Sequence, residues 1–570
     1  MPAPRVAYFS MEIALEASIP TYAGGLGVLA GDTLRAAADL GLPFVGVSLV
    51  HRKGYFRQQL DAEGRQTELP DDWSPQERLE EAPARVELRL EGRRVLVRAW
   101  KYRIRGAGGA EVPVFLLDTD LPENAPQDRR WTDHLYGGDG RYRLGQEALL
   151  GLGGIRILRA LGYPKFDVYH MNEGHSALLV LGLLEQEAFF RGSARPGMED
   201  REAVREACVF TTHTPVPAGH DRFPADLAAA VLGKEKLEIL SSFGGVRDGV
   251  LDMTGLGLVF SRFVNGVSAR HREVARGLFP GHTIAAITNG VHVSTWVSEP
   301  FRSLFDRHLP GWREDRFLLR QALLIPLEEL ERAHRQAKER LLGRVAEVTG
   351  RAWQPGVFTI GFARRAALYK RANLIFHDPE RLRSIGRKCG SLQLVFAGKA
   401  HPHDRQAKEL LAEVVRAGRS LGPEVAFVYF ENYGMELARD LCAGVDLWLN
   451  TPEKPLEASG TSGMKAALNG VPSLGTLDGW WVEGHCEGVT GWSIGESWDR
   501  PSDMAAEARS LYEKLEHRIL PLYYERPLSY AEVRRNAVAL NGSFFHAQRM
   551  LLEYVQLAYD RGRSTRSSGE

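Results

Sequence analysis

The chain has 570 residues, of which 44% are hydrophobic and 25% charged, and its 72 Lys+Arg balance its 72 Asp+Glu. That is longer than one ordinary domain, has a soluble globular composition, and argues against nucleic acid or a membrane surface as the main partner. Four scattered cysteines without a CxxC, no leader-like opening and no run near ~20 apolar residues point to a cytoplasmic protein without structural zinc.

In chain order, short β-rich runs alternate with longer periodic apolar segments. "RVAYFS" (5–10), "PFVGVSLV" (43–50), "FDVYHMN" (166–172) and "ACVFTTH" (207–213) read as buried strands. A charged helical stretch follows at 313–350, with a candidate boundary just before it near "ITNGVHVSTW". The pattern then resumes in "VFTIGFA" (357–363), "LQLVFAG" (392–398), "VAFVYF" (425–430) and "VDLWLN" (445–450). Such alternation predicts an α/β fold of two doubly wound, Rossmann-like domains facing a cleft, with ligands at the carboxyl ends of strands. "FFHAQRMLLEYVQLAYD" (544–560) predicts an amphipathic terminal helix, and "RGRSTRSSGE" (561–570) a disordered tail. The expected division is 1–288, 289–543 and 544–570.

Three stretches carry chemistry. In "TYAGGLGVLAGD" (21–32), Gly25 to Ala30 satisfies the G-x-G-x-x-G/A pattern. Its glycines would let backbone N–H groups approach an anion at a helix start. The next strand ends in His51-Arg52-Lys53 rather than an acidic ribose ligand, so a generic anion loop or a tight turn competes with dinucleotide binding. In "GFARRAALYKR" (361–371), Arg364, Arg365, Lys370 and Arg371 follow a strand directly. Such cations suit a dianion, while a solvated basic helix face is the plain alternative. "EASGTSGMKAALNG" (457–470) is no P-loop, because Lys465 follows Met464 and precedes Ala466. A helix starting near Thr461 would expose backbone N–H groups around Gly460 to Gly463 and put Lys465 one turn in, where dipole and burial favour the neutral amine. A neutral lysine beside a phosphate site can bind pyridoxal phosphate covalently; a capping loop with a surface lysine is the alternative.

Together these stretches resemble the α-glucan (glycogen/starch/maltodextrin) phosphorylases, pyridoxal-phosphate members of the GT-B glycosyltransferases. The matching pieces include "YFSMEIALEASIPTYAGGLGVLAGD", "HMNEGHSALL", "FTTHTPVPAGHD", "VNGVSARH", "TNGVHVSTW", "RRAALYKR", "FAGKAHPHD", "FENYGMELARDL" and "PLEASGTSGMKAALNGVPSLGTLDG", in family order from residue 8 to about 480.

The resemblance implies a reversible, retaining α-1,4-glucan phosphorylase that uses inorganic phosphate and yields α-D-glucose 1-phosphate. It implies Lys465 as the pyridoxal-phosphate lysine, with Thr461 and Ser462 around the 5′-phosphate, Tyr433 and Trp296 as neighbours, and Glu12 near the ring. Arg364 stands where the family usually has a Lys on that phosphate. Arg365, Lys370 and the amides of Gly24 and Gly25 would hold substrate phosphate. Glu457, Ser459 and Gly460 would hold the 3- and 4-hydroxyls, Tyr369 the 2-hydroxyl, and His213 with Asn289 the 6-hydroxyl, with Val267 lining the pocket. The His213 carbonyl would face the developing positive charge, and Glu173 and His175 match a pair near the cleft. "HPHD" (401–404) lacks partners for a metal, so none is expected. The family tends to homodimers, though no interface is legible. A nucleotide-sugar-dependent glucan synthase of the same fold is the rival reading, and a noncatalytic glucan-binding protein is another; an aldehyde-binding lysine and the cation pair argue against each in turn.

Overall fold

The structure, a computed structural model, describes residues 3–216 and 219–560; the 561–570 tail lies outside the described residues. Two large sheets carry the fold. The first has nine strands, ordered Ala285–Ala286, Phe263–Gly266, Cys208–Thr211, Val168–Asn172, Val6–Ser10, Phe44–Leu49, Glu111–Asp118, Arg93–Arg105 and Glu80–Leu90. It is parallel up to Glu111–Asp118, after which two antiparallel strands close the edge. The second is wholly parallel, ordered Val425–Phe430, Leu392–Ala397, Phe358–Ala363, Leu447–Asn450, Ser473–Thr476 and Gly491–Ile494.

The strands read as continuous apolar runs because both faces are buried. Ala7 and Phe9 enter one core while Val6 and Tyr8 enter another, on the opposite face. Leu392, Leu394 and Phe396 alternate in the same way with Val395 and Ala397. Each buried Val, Leu or Phe among them stabilises the fold by roughly 1.5–3 kcal/mol, each Ala by less. Helices cover both faces, giving the doubly wound α/β architecture expected from the alternation. The 313–350 stretch forms a 3-10 segment, Arg316–Leu324, and the helix Leu327–Thr349.

The terminal helix begins at Ala547. It packs against the first sheet rather than the second: Met550, Leu551, Tyr554 and Tyr559 share a core with Tyr8, Phe44 and Val209. The segment 550–559 thus returns to the sheet that holds the first strand. Further links fix the two halves against each other. The Ser268 hydroxyl donates to the Ala458 carbonyl at 2.7 Å, and Thr288 Oγ1 to Glu483 Oε2 at 2.7 Å. A hairpin of the first half, Arg57–Leu60 and Gln66–Leu69, reaches across: Gln58 N–H donates to Asn432 Oδ1 at 2.6 Å and Gln66 Nε2 to the Ala400 carbonyl at 2.9 Å. The carboxyl ends of both sheets are held face to face by these contacts.

Candidate active site

Parallel strands deliver their following residues to one edge, and the chemically distinctive side chains lie there. On the first sheet, Ser10 leads into Glu12 and the glycine loop, Asn172 into Glu173, Thr211 into His213, and Gly266 into Val267. On the second, Ala363 leads into Arg364 and Arg365, Asn450 into the loop bearing Glu457, and Thr476 into Asp478.

Glu457 joins the cationic stretch to the "EASGT" stretch. Its Oε2 accepts from Lys370 Nζ at 2.6 Å and from Arg364 Nη2 at 2.8 Å. Glu457 is 5% exposed and Lys370 8%. Burial by itself would raise the carboxyl pKa, but the two cations overcome that and hold it down at about 2. Arg364 also bonds Asn450 Oδ1, while its buried Nε has no partner. Beneath Glu457, Asp478 Oδ2 accepts the Glu457 N–H at 2.8 Å. Burial, reinforced by the Glu457 charge, pushes Asp478 up to about 7. Lys370 Nζ also lies 4.5 Å from the centre of the Tyr369 ring. Burial would raise the Tyr369 phenol, yet Lys370 and the nearby arginines bring it below its ordinary value. Arg365 lies beside Tyr369, Tyr55 and Tyr136, and among the described residues no carboxylate is within ion-pair distance of it.

Ser459 is buried with its Oγ unpartnered. Gly460 adopts φ +83°, a left-handed conformation suited to glycine, as the chain turns into the helix Ser462–Ala467. Thr461 is the residue before that helix, and Ser462 Oγ accepts from Trp448 Nε1 at 3.1 Å. Lys465 is 6% exposed, and its Nζ lies 4.0 Å from the centre of the Trp296 ring. Trp296 in turn donates to Asp32 Oδ2 at 2.7 Å. Desolvation lowers the lysine pKa, partly offset by Asp32 and Cys442. Tyr433 packs against two cores, with Arg364 nearby.

On the opposite wall, His213 Nε2 is 2.5 Å from Asn172 Oδ1, and Asn172 Nδ2 donates to Ser10 Oγ at 3.0 Å. This orientation makes the Asn oxygen an acceptor, so Nε2 carries the proton and Nδ1 keeps its lone pair. Burial lowers the His213 pKa to about 3, leaving the ring neutral. Its backbone N–H donates to Glu173 Oε2 at 2.6 Å, and Thr214 Oγ1 to the same oxygen at 3.2 Å. Glu173 sits at φ +77°, a costly conformation for a non-glycine residue. Burial raises its carboxyl to about 7, against the hydrogen bonds from His213, Gly174 and Thr214. His175 is 3.4 Å from Asp221 and is pushed down to about 3, first by burial and then by Arg143. Asn289 and Val267 are buried side by side in the backbone ladder, the Asn289 N–H donating to the Val267 carbonyl at 3.1 Å. Asn289 Oδ1 has no partner.

The glycine loop begins the helix Gly25–Asp39, with Gly24 before it. Glu12 Oε2 accepts the N–H groups of Ala23 at 2.6 Å and Gly24 at 3.1 Å, and its Oε1 accepts from the Tyr136 hydroxyl at 2.9 Å. A Cβ on Gly27 would come within 2.7 Å of the same Oε2, and one on Gly31 within 2.1 Å of the Ala14 carbonyl. These two glycines therefore serve close packing of the 11–22 segment on the helix. Asn172, Asp478 and Asp32, which orient His213, Glu457 and Trp296, were not singled out in the sequence. Each lies inside a motif ("HMNEGHS", "GTLDG", "VLAGD"), but motif spacing does not say which side chain points at which partner.

Comparison with known proteins bears on the same residues. The Phosphorylase family model, described as carbohydrate phosphorylase, matches residues 13–119 and 216–488, which include the glycine loop, the cations, Glu457 and Lys465. The chain belongs to the carbohydrate phosphorylase family. The maltodextrin phosphorylase of Thermococcus litoralis is 38% identical, over 98% of this chain and 70% of its own. The glycogen phosphorylases of Mycobacterium tuberculosis (37%, over 97% and 70%) and Aquifex aeolicus (32%, over 98% and 86%) are similar in the same way. Among the described residues, no helix of this family member is long and apolar enough to cross a membrane.

Proposed function

We propose that the protein is an α-1,4-glucan phosphorylase, transferring the non-reducing-end glucosyl unit of a glucan to inorganic phosphate as α-D-glucose 1-phosphate. The observation that carries this reading is the meeting of Lys370 and Arg364 on one Glu457 oxygen, in the stretch that eight residues later bears a buried lysine whose pKa is lowered by desolvation. A buried amine whose pKa is lowered by desolvation, against an indole face, fits a pyridoxal group, and the Arg364 Nε, unpartnered among the described residues, fits a further anionic oxygen. Lys465 would hold the cofactor, with Thr461, Ser462 and Arg364 toward its phosphate and Tyr433 and Trp296 against the ring. When bound, the cofactor supplies a phosphate group that works as an acid–base partner.

The chain's own residues do the rest. Arg365, which has no carboxylate partner among the described residues, and Lys370 would bind substrate phosphate with the amides of Gly24 and Gly25. The Gly24 N–H is donated to Glu12, so an incoming anion competes with an internal carboxylate there and again at Glu457. Glu457 and the free Ser459 Oγ, with Gly460, suit the 3- and 4-hydroxyls, Tyr369 the 2-hydroxyl, and His213 with Asn289 the 6-hydroxyl, whose single proton goes either to the bare His213 Nδ1 or to Asn289 Oδ1. Val267 closes the pocket. The phosphate proton goes to the departing glycosidic oxygen, the C1–O bond breaks, and a phosphate oxygen bonds to C1 on the same face. Fixed cations around the phosphate lower the cost of assembling these charges. The same reading takes 1–288 and 289–543 as two domains followed by the terminal segment from 544, supported by the strand content of each sheet, and takes the site as cytoplasmic and the protein as a candidate homodimer.

The test is donor choice. Purified protein should release glucose 1-phosphate from maltoheptaose and phosphate, and elongate maltoheptaose from glucose 1-phosphate. Elongation from UDP- or ADP-glucose but not from glucose 1-phosphate would move the protein to the synthase reading.

A further inference from the structure

In the second half, the loop at 398–400 follows strand Leu392–Ala397 and runs beside residues 364–366. The Arg364 N–H donates to the Ala397 carbonyl at 3.2 Å and the Ala366 N–H to the Lys399 carbonyl at 2.9 Å, while Ala366 pairs with Ala400 in an isolated parallel bridge. Gly398 sits at φ +154°, and a Cβ there would come within 2.0 Å of the Arg364 carbonyl. The backbone on both sides of Arg365 therefore takes its place from 397–400.

That loop is in turn held by the first half of the chain. Lys399 Nζ donates to the Phe56 carbonyl at 2.7 Å, just before the hairpin Arg57–Leu60 and Gln66–Leu69. Gln58 Nε2 donates to the Gly398 carbonyl at 2.8 Å and to Gln66 Oε1 at 2.9 Å. The Gln66 amide pairs with the Ala400 backbone in both directions, Nε2 donating to its carbonyl and Oε1 accepting its N–H, each at 2.9 Å. Gln58 also clasps Asn432: the Gln58 N–H donates to Asn432 Oδ1 at 2.6 Å, and Asn432 Nδ2 to the Gln58 carbonyl at 2.9 Å. Asn432 is held at φ +56°, directly before Tyr433. Both glutamines are buried. Apolar contacts would hold the two halves together over a range of offsets, whereas buried amides matched to backbone donors and acceptors permit one.

We infer that Gln58 and Gln66 are positioning residues for the transfer: from the first half they set the 398–400 loop and Asn432 of the second, and so place Arg365 for phosphate and Tyr433 against the cofactor ring. Neither touches substrate. This rests on the phosphorylase reading of the cleft. It makes the phosphate-binding cation of one sheet depend on contacts from the other, and a misplacement of about 1 Å caused far from the chemistry can cost about a hundredfold in rate. Tyr55, one residue before Phe56, lies near Arg365 itself, so the root of the hairpin and the loop it holds converge on the same guanidinium.

The experiment uses the full chain loaded with pyridoxal phosphate and compares wild type with Gln58→Met and Gln66→Met, which keep the stem and remove the amide, and with Lys408→Ala. Lys408 pairs with Glu68 at 2.7 Å and so fastens the same hairpin to the helix Arg405–Arg419, away from 398–400 and Asn432. Each Met variant should raise KM for phosphate at least about fivefold with KM for maltoheptaose unchanged, and Lys408→Ala should match wild type. An unmoved phosphate KM in either Met variant, an equal rise in both KM values, or the same rise in Lys408→Ala overturns the proposal. If neither Met variant folds, hydrogen exchange of wild type decides: phosphate should slow exchange in 57–66 and 398–402 together, and protection confined to 364–371 overturns the proposal. Phosphate binding by calorimetry is read without turnover. In a protein releasing no glucose 1-phosphate, a phosphate affinity that falls in both Met variants would sink the proposed activity and leave the anchoring of Arg365 standing.

Discussion

Glu173 and Glu457 are both buried carboxylates at the carboxyl edge of a parallel sheet, one on each wall of the cleft. Glu457 has two cations on one oxygen and is held at about 2; Glu173 has only hydrogen-bond donors and rises to about 7. The partner sets the direction, because desolvation of equal kind is outweighed by opposite charge in one case and not by neutral N–H and O–H groups in the other. His213 on the same wall as Glu173 is likewise uncharged. The His213–Glu173 part of one wall thus carries little charge and suits sugar hydroxyls, while the Glu457 cluster on the other is charged and suits phosphate and the sugar together.

The comparison breaks most visibly at Glu457. Glu457→Ala leaves Arg364 and Lys370 buried without their counter-ion, and truncating one side of such a pair costs about 3–5 kcal/mol. Urea unfolding should register that loss, and Glu457→Gln a smaller one. A wild-type midpoint for Glu457→Ala would mean that the cations find other partners and the knot is not a unit.

Glu173 and Glu457 also lose stability in different pH windows. Glu173, raised from an ordinary 4.5 to about 7, contributes stability fully present below pH 4.5, which declines as pH climbs through 7. At about 1.4 kcal/mol per unit this amounts to at most about 3.5 kcal/mol. Asp478 slopes the same way, whereas Glu457 contributes above 4.5 and is lost as pH falls towards 2. Glu173→Gln should therefore flatten part of the decline between pH 4.5 and 7 and leave the acid limb unchanged. An identical profile would return Glu173 to an ordinary carboxyl.

A smaller effect separates phosphate from sugar. Arg365→Ala removes a charge-assisted contact worth roughly 1.5–3 kcal/mol, so KM for phosphate should rise at least about tenfold while glucan affinity hardly moves. Unchanged phosphate kinetics would reduce the basic run to a solvated face.

The strands were legible because burial on both sides leaves an unbroken apolar run, as in "FTIGFA" at 358–363. Once that strand is assigned, parallel topology alone sends Arg364 and Arg365 to the ligand edge. Contacts that depend on folded distance were not legible. Glu12 occupying the amides of Ala23 and Gly24, Asn172 fixing the His213 tautomer, and Asp478 under Glu457 each need a neighbour's orientation, which no spacing encodes. Nor does an amphipathic terminal helix reveal which sheet it covers. Tyr554 and Tyr559 meet Tyr8 and Phe44 across some 500 residues of chain. The glycine loop was only half legible: its pattern suggested an anion site, and its Gly27 and Gly31 turn out to be fixed by close packing.

Everything assigned to the cleft depends on Lys465 being the lysine that takes the cofactor. The direct measurement is borohydride reduction of the active protein followed by peptide mapping. One pyridoxyl group per chain on Lys465, absent from an inactive but folded Lys465→Ala variant, is the expected result. A label on another of the 13 lysines, or full activity with no label at all, would contradict the account.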